Sequence, residues 1–226
     1  MTIHAILCDL TDTLIASDYP QQQLLPYARQ HLAEFIHRYQ HDAEVQVYLN
    51  DVRGAIGWAE ADTQTLSEVL VRWQEDGRPE PALQALQQLL WRAAYHNGDL
   101  HSQLYADAHQ ALQRWQQQGR KLYLFSPLPM AEQQLLLSHS QYGNLLPWLA
   151  GHFDQTSGPQ QEPRSYKGIA ATLELAPAQL LLISANVTAL DAAAQVGLAT
   201  WELRRDQQPA CGRHPSSPDF HAIQLD

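Results

Sequence analysis

The stretch that decides the fold is Ile3-His4-Ala5-Ile6-Leu7-Cys8, followed at once by Asp9-Leu10-Thr11-Asp12-Thr13-Leu14. A short, mostly apolar run that ends in a polar turn predicts a buried β-strand, and its composition favours a central strand of a parallel sheet. Asp9 is then the first residue beyond the carboxyl end of this strand. Because open α/β sheets carry their chemistry at that end of the strands, Asp9 is the first candidate site residue.

The segment after this strand has a helical pattern. From Gln21 to about Tyr39 apolar residues recur at helical spacing, and further helical segments follow to about Asn97 without a strand of comparable quality. The pattern predicts a helical insertion over residues 17–100. The core domain is then formed by residues 1–16 and 101–226.

Beyond the insertion, strand and helix patterns alternate. Strands are predicted at Lys121–Phe125, Leu180–Ser184 and about Thr200–Leu203, each preceded by a stretch with helical periodicity. Such alternation is typical of an α/β fold with a parallel sheet covered by helices on both faces. The carboxyl ends of these strands bring Ser126 and Ser184 to the same edge as Asp9.

The composition limits the function classes. The 226 residues include 14 Lys plus Arg against 24 Asp plus Glu, a formal net charge of -10 that disfavours nucleic acid and anionic membranes as partners. The only lysines are Lys121 and Lys167, and the two cysteines are too few for a disulfide framework or a zinc site. No apolar run is long enough for a membrane span and no signal peptide pattern is present, so we expect a cytoplasmic monomer.

Several segments carry a resemblance to a known family. An Asp after the first strand, a Ser after a later strand and a helical insertion between them resemble the haloacid dehalogenase superfamily, with its Rossmann-like core and a cap inserted after the first strand. Closer matches to the enolase-phosphatase (acireductone synthase) family of methionine salvage run along nearly the whole chain. They are Leu25–Arg29, Leu86-Gln87 with Trp91 and Tyr95, Gly151–Asp154, Thr156–Pro159, Ser165-Tyr166 with Ile169-Ala170, and Leu190–Ala193.

The resemblance implies a magnesium-dependent phosphatase that acts on a diketo-methylthiopentyl phosphate. In that family an Asp carboxylate, here Asp9, attacks the phosphate and forms an aspartyl-phosphate intermediate. Like charges must be neutralised there by a metal and a lysine, while backbone N–H groups hold the phosphate oxygens.

The motif around Asp9 departs from the family pattern. Thr11 occupies the position of the carboxylate that protonates the leaving oxygen, and a hydroxyl cannot act as an acid near neutral pH. Asp12 replaces a glycine, which brings a Cβ and a negative charge close to the phosphate position. Asp12 is either a relocated acid or metal ligand, or a turn residue, and the turn interpretation is favoured.

The other motifs have lost the groups that bind phosphate and metal. Pro127-Leu128-Pro129 replaces Ser-Gly-Ser after Ser126, so two backbone N–H donors are missing. Gln160 stands at the lysine position and Ala185 at an acidic magnesium ligand position, which leaves Asp9 as the only protein ligand. Arg164 and Lys167 are the nearest cations that could compensate. Ser126 and Ser184 either bind an anion or only satisfy backbone groups.

Three hypotheses follow. The first is a catalytically impaired or inactive pseudoenzyme with the enolase-phosphatase fold, without a cofactor, that binds a small molecule between cap and core or a protein partner. The second is an active enolase-phosphatase, a phosphoric monoester hydrolase, with an unconventional site around Asp9. The third is a metal-free 2-haloacid dehalogenase, suggested only by a faint likeness of Ser184-Ala185-Asn186 to a motif of those enzymes and opposed by Gln160 and Pro127.

Overall fold

A parallel six-stranded sheet organises the part of the chain that carries Asp9. It is seen in a computed structural model that describes residues 2–205 and 209–225. The strand order is β3-β2-β1-β4-β5-β6, and the fold is α/β as predicted. The strands are β1 (Ala5–Cys8), β2 (Lys121–Phe125), β3 (Leu149–Phe153), β4 (Leu180–Ser184), β5 (Ala199–Leu203) and β6 (Ser216–Ser217).

The first strand lies inside the sheet because both of its edges are paired. Ala5 is in register with Lys121 on β2 and with Leu180 on β4, and Cys8 is in register with Leu124 and Ile183. All four residues of β1 are buried, as expected for a strand covered on both faces. The polar residues that follow β1, β2 and β4 therefore meet at one edge of the sheet.

Two strands were not predicted, and they are the two edge strands of the sheet, β3 and β6. β3 pairs only with β2, and its residues are mostly half-buried, so the sequence Leu149-Ala150-Gly151-His152-Phe153 lacks a continuous apolar run. β6 has only two residues, both serines. Strands of this kind have little of the apolar signal from which a buried strand is predicted.

In the core unit, β2 and β4 each lie between helices along the chain, and a helix also precedes β5. Tyr166 and Ile169 of one helix and Leu190 of another pack with Leu7 and Leu182 on one face of the sheet. The helices of this part of the chain are α5 (Ala106–Gln117), α6 (Met130–Ser138), α7 (Pro163–Thr172) and α8 (Val187–Gln195).

The chain divides into two compact units. A core unit contains Met1–Ser17 and His101–Asp226, and a helical unit contains Asp18–Leu100. The helical unit has its own apolar core, to which Leu32, Leu49, Leu66 and Leu86 contribute one side chain from each helix. Its helices are α1 (Leu25–Tyr39), α2 (Ala43–Ile56), α3 (Thr63–Glu75) and α4 (Pro81–Asn97).

The ends of these helices follow from local sequence signals. Asp42 and Asp62 cap α2 and α3 by accepting hydrogen bonds from backbone N–H groups of the first turn. Gly98 ends α4 in the left-handed conformation, with φ 81°. The predicted start of the first helix at Gln21 is wrong in detail, because a π-helical turn occupies Pro20–Leu24 before α1 begins. Within the described residues, none of the helices combines the length and the apolar character that crossing a membrane requires.

Candidate active site

Asp9 is buried at the carboxyl end of β1, and both of its carboxylate oxygens accept hydrogen bonds. The backbone N–H of Leu10 donates to Oδ1 at 2.7 Å, and the hydroxyl of Ser184 donates to Oδ2 at 2.7 Å. Only 4% of Asp9 is exposed. The carboxyl group is therefore held by donors of the protein itself.

Among the described residues, no cation contributes to the pKa of Asp9. Burial raises the pKa of the Asp9 carboxyl above its ordinary value, the hydrogen bonds from Ser184, Gln160 and Leu10 act in the opposite direction, and the negative charge of Asp12 adds to the increase. A lysine or metal beside the carboxylate would lower this pKa. Burial dominates because hydrogen bonds from neutral donors offset only part of its cost.

Gln160, at the lysine position of the family, is built into the core of the site. Its Nε2 donates a 2.7 Å hydrogen bond to the carbonyl of Phe125, the last residue of β2, and the side chain also faces Asp9. The hydroxyl of Tyr166 on α7 donates to the Gln160 carbonyl at 2.8 Å, and burial raises the pKa of Tyr166. Sequence reasoning did not give Tyr166 this position at the site, because the contact joins two motifs through a backbone carbonyl.

The loop after β2 is held together by its own polar groups. Ser126 is fully buried, and its Oγ accepts the N–H of Leu128 at 3.3 Å. Pro127 is exposed. Gln133, which the sequence analysis did not single out, donates from Nε2 to the carbonyls of Leu128 at 2.8 Å and Phe153 at 3.0 Å. The available signal was a glutamine that falls on the buried face of α6.

The loop after β1 forms a turn against the loop after β4. Thr11 is exposed, and Asp12 has φ 53°, the left-handed conformation that a glycine adopts without strain. Oδ1 of Asp12 accepts the N–H of Ser17 at 2.8 Å, so Asp12 is a turn residue in this structure. Thr13 is fully buried, and its Oγ1 accepts the N–H of Ala185 at 3.1 Å.

A largely buried ion pair supports the loop after β1 from outside the predicted motifs. Arg205 donates to Oδ2 of Asp107 at 2.7 Å and to the carbonyl of Thr13 at 2.7 Å. Its guanidinium lies 3.9 Å from the centre of the Tyr105 ring. No sequence motif predicts this contact, because Arg205 and Asp107 are separated by nearly half of the chain.

The two cations that could have replaced the missing lysine point elsewhere. Arg164 is exposed and pairs with Glu162, and Lys167 is exposed on α7. Neither contributes to the pKa of Asp9. Within residues 2–205 and 209–225, no three side chains of His, Cys, Asp or Glu form a cluster that could hold a metal ion.

The turn that precedes Gln160 needs a glycine. Gly158 has φ 106°, and a Cβ at this position would lie 2.4 Å from Oγ of Ser165. Asp154 organises the same segment, because its Oδ1 accepts the N–H of Thr156 at 2.9 Å and its Oδ2 accepts the N–H of Met130 at 3.3 Å. The sequence Thr156–Pro159, which resembles the family, therefore forms a turn that Gly158 and Asp154 hold in place.

Trp91 and Tyr95 of the resemblance lie in the helical unit and are packing residues. Nε1 of Trp91 donates a hydrogen bond to the carbonyl of Leu24 at 2.8 Å. Tyr95 is 2% exposed, and its hydroxyl is hydrogen-bonded to that of Tyr19.

Asp191 of the core unit pairs with two basic side chains. Its carboxylate oxygens lie 2.8 Å from Arg213 and 3.0 Å from His214. These contacts lower the pKa of the Asp191 carboxyl, mainly through the Arg213 hydrogen bond.

A sheet of this order with an Asp at the end of its first strand and a Ser at the end of the second defines a class of protein. The chain matches the haloacid dehalogenase-like hydrolase family over residues 3–197 and belongs to it. Within that class it belongs to the enolase-phosphatase family. It is 38% identical over 221 residues to Enolase-phosphatase E1 of Methylococcus capsulatus, covering 98% of this chain and 97% of that relative. Enolase-phosphatase E1 of Serratia proteamaculans is 37% identical, with 99% of this chain and 97% of the relative covered.

Solved structures agree on the fold. The UTR4 protein of Saccharomyces cerevisiae has a TM-score of 0.80 at 22% identity, over 98% of this chain and 100% of that protein. The L-2-haloacid dehalogenase of Xanthobacter autotrophicus has a TM-score of 0.54 at 19% identity, over 92% and 80% of the two chains. At these identities the likeness concerns the fold alone.

Proposed function

We propose that this chain is a member of the enolase-phosphatase family that has lost efficient phosphatase turnover and acts as a binding or regulatory protein. The observation that supports the proposal most strongly is the position and bonding of Gln160. Where the family has a lysine, a neutral amide donates to the Phe125 carbonyl at 2.7 Å and faces Asp9. A dianionic phosphate that approaches Asp9 would meet a carboxyl group without a neighbouring cation.

The groups that would hold the phosphate are engaged elsewhere or absent. Pro127 and Pro129 have no N–H, and the N–H of Leu128 donates to Oγ of Ser126. The proposal therefore includes a low affinity for phosphate at this loop. Removing a single preorganised donor typically costs about 10²–10³ in rate, so the combined losses leave little turnover even though such losses do not add.

The proposal also holds that the residues present do not fit magnesium. Mg²⁺ is usually held by one or two carboxylates completed by waters and substrate oxygens, but Ala185 offers only a methyl group at the acidic ligand position, which leaves Asp9 as the single carboxylate of the set. The acid position is no better suited, because Thr11 carries a hydroxyl group and the Asp12 carboxylate accepts the N–H of Ser17. No step through a metal is part of the proposed function.

The occupant that we propose is a small molecule without a phosphate group, or a protein partner, bound by a monomeric chain. Its support is the contrast between the changed polar positions of the family motifs and the buried apolar core of the chain. The chain keeps 37–38% identity to its relatives along nearly its full length, and the described fold is complete. Because the fold is retained while the charged groups of the family motifs are replaced, we propose that the retained function is binding.

One observation favours a second candidate, the inherited enolase-phosphatase activity. The relatives that carry the name Enolase-phosphatase E1 cover this chain from end to end. In this candidate Asp9 is the nucleophile, and the chain keeps the methionine salvage role and the cytoplasmic location of an active enzyme. A structure with magnesium and a phosphate analogue bound beside Asp9 would support it.

The experiment is phosphate release from a diketo-methylthiopentyl phosphate, with and without magnesium, using Asp9→Asn as the blank. We expect equal rates for the natural chain and the blank. Magnesium-dependent release that is abolished by Asp9→Asn would contradict the proposal and establish the second candidate.

A restored variant provides the positive control. It combines Thr11→Glu, Asp12→Gly, Gln160→Lys and Ala185→Asp with Pro127→Ser, Leu128→Gly and Pro129→Ser, and we expect it to release phosphate above the blank. Its folding is checked first by thermal unfolding, so that an inactive but folded variant shows that further positions have diverged.

A further inference from the structure

A cavity of about 350 Å³ lies at the amino-terminal edge of the sheet in the core unit. Its position follows from the strand register, since Lys121 pairs with Ala5 at the start of β1 while Cys8, next to Asp9, pairs with Leu124 at the other end. The cavity is thus separated from the candidate active site by the length of the strands. We call it the basal cavity. Its wall is formed by Ile3, His4, Gln118, Gly119, Arg120, Lys121, Tyr123, Leu173 and Leu175.

The basal cavity is the meeting point of three basic side chains in an acidic protein. His4, Arg120 and Lys121 line it, and none of the lining residues that the structure describes is an aspartate or a glutamate. The chain as a whole has 24 acidic residues against 14 Lys plus Arg, so a wall without a carboxylate is a marked local reversal of charge. Such a wall favours an anion.

Arg120 and Lys121 differ in their contacts. Arg120 donates from its guanidinium to the carbonyl of Ile3, which fixes the side chain at the rim. The Lys121 side chain is exposed, and within residues 2–205 and 209–225 no salt bridge involves Lys121. Its ammonium group is therefore available to a ligand.

The rest of the cavity wall is mixed, with an amide from Gln118 and an apolar part. Tyr123 of β2 contributes a ring, and Leu173 and Leu175 contribute side chains from the segment after α7. Glu174 between these leucines has φ 54°, a conformation uncommon for a residue other than glycine, and its own side chain is exposed and does not line the cavity. At this turn both leucines line the cavity, whereas the Glu174 carboxylate does not.

We propose that the basal cavity binds a small amphipathic anion, a carboxylate or phosphate group carried on a short apolar chain. The anionic group pairs with Lys121 and Arg120, and the apolar chain covers Tyr123, Leu173 and Leu175. A volume of about 350 Å³ lies within the range of about 300–1,000 Å³ that is typical of small-molecule sites. This inference does not depend on the proposed function, because the cavity is remote from Asp9.

The two lysines of the chain allow a direct test on the full-length protein. Reductive methylation with a carbon-13 label gives each lysine its own NMR signal and keeps the positive charge. Hexyl phosphate and hexanoate are the probes. We expect a saturable shift of the Lys121 signal and no shift of the signal of Lys167, which is exposed on α7 and serves as an internal control. No saturable shift, or equal shifts of both lysines, would overturn the proposal.

Matched variants measure the contribution of the ammonium group. By calorimetry on the unlabelled protein, Lys121→Gln should weaken hexyl phosphate binding about fivefold, the upper range for a solvent-exposed ion pair, while Lys167→Gln leaves the affinity unchanged. Equal affinities for the two variants would contradict a role for Lys121.

A third probe, inorganic phosphate, tests the apolar part. Because burying the CH₂ groups of the hexyl chain against the leucines is favourable, hexyl phosphate should bind at least about tenfold more tightly than inorganic phosphate. Equal affinity for the two would overturn the amphipathic class of ligand. The tighter of the two hexyl probes identifies the preferred anionic group.

Discussion

The hydroxyl of Ser184 donates a 2.7 Å hydrogen bond to Oδ2 of Asp9, across the gap between two neighbouring strands of the sheet. Both residues are buried, Ser184 completely. The same Oγ accepts the N–H of Asn186 at 2.9 Å, so the serine connects the end of β1 to the start of α8. This bond is therefore part of the stability of the core as well as of the candidate site.

Ser184→Ala should destabilise the protein by about 1–3 kcal/mol, because it leaves a buried carboxyl oxygen and a backbone N–H without their partner. The measurement is urea unfolding followed by tryptophan fluorescence. The control is Ser17→Ala, which removes the hydroxyl of an exposed serine and should change the free energy of unfolding by less than about 0.5 kcal/mol. Equal small effects of the two substitutions would show that the Ser184 hydroxyl is not needed.

The ion pair between Asp107 and Arg205 gives a second test of stability. The side chains are 14% and 8% exposed, and the same Arg205 guanidinium donates to the carbonyl of Thr13 in the loop after β1. Asp107→Asn leaves a largely buried guanidinium without its counter-ion and should cost about 1–3 kcal/mol of unfolding free energy.

A surface pair of the same length is the matched control for this experiment. Arg92 and Glu44 are also 2.7 Å apart, but their side chains are 52% and 51% exposed. Glu44→Gln should therefore cost less than about 1 kcal/mol. If the two neutralising substitutions had similar effects, burial would not be the property that makes the Asp107–Arg205 pair important.

Much of the fold could be predicted because its signals are local. The bounds of β2 and β4 are those predicted, since both strands are short apolar runs between helices. The edge strands β3 and β6 lack such a run. The juxtaposition of Asp9 and Ser184 follows from parallel strand ends, whereas nothing local indicates that Thr13 accepts the N–H of Ala185 or that Gln133 supports the Ser126 loop.

The Asp154 carboxylate should stabilise the protein at neutral pH, and this stabilisation should be lost in acid. Hydrogen bonds from the Thr156 hydroxyl, then from the Thr156 and Met130 N–H groups, hold the pKa of this carboxyl below its ordinary value of 3.8. Because the folded pKa is the lower one, the stabilisation is present above pH 3.8 and is lost as the pH falls through the folded pKa.

The variant Asp154→Asn removes the titrating charge. The amide oxygen can still accept the Thr156 hydrogen bonds, but the amide NH₂ group cannot accept the Met130 N–H that Oδ2 accepts. The natural chain should therefore be more stable than the variant, and the part of this difference that comes from the charge should shrink as the pH falls below 3.8. Unfolding in urea at several pH values measures the difference. A difference that does not change with pH would mean that the Asp154 charge does not stabilise the fold.

The two cysteines should differ sharply in reactivity. Cys8 is 1% exposed, and burial, with a smaller contribution from the neighbouring Asp9 charge, raises the pKa of its thiol to about 12. Cys211 is half-buried, outside the strands of the sheet. Since the thiolate is the reactive species, a disulfide reagent at neutral pH should modify Cys211 in the native protein and reach Cys8 only after unfolding in guanidinium. The variant Cys211→Ser should then show no rapidly reacting thiol, and rapid modification of Cys8 in that native variant would disprove the buried placement of β1.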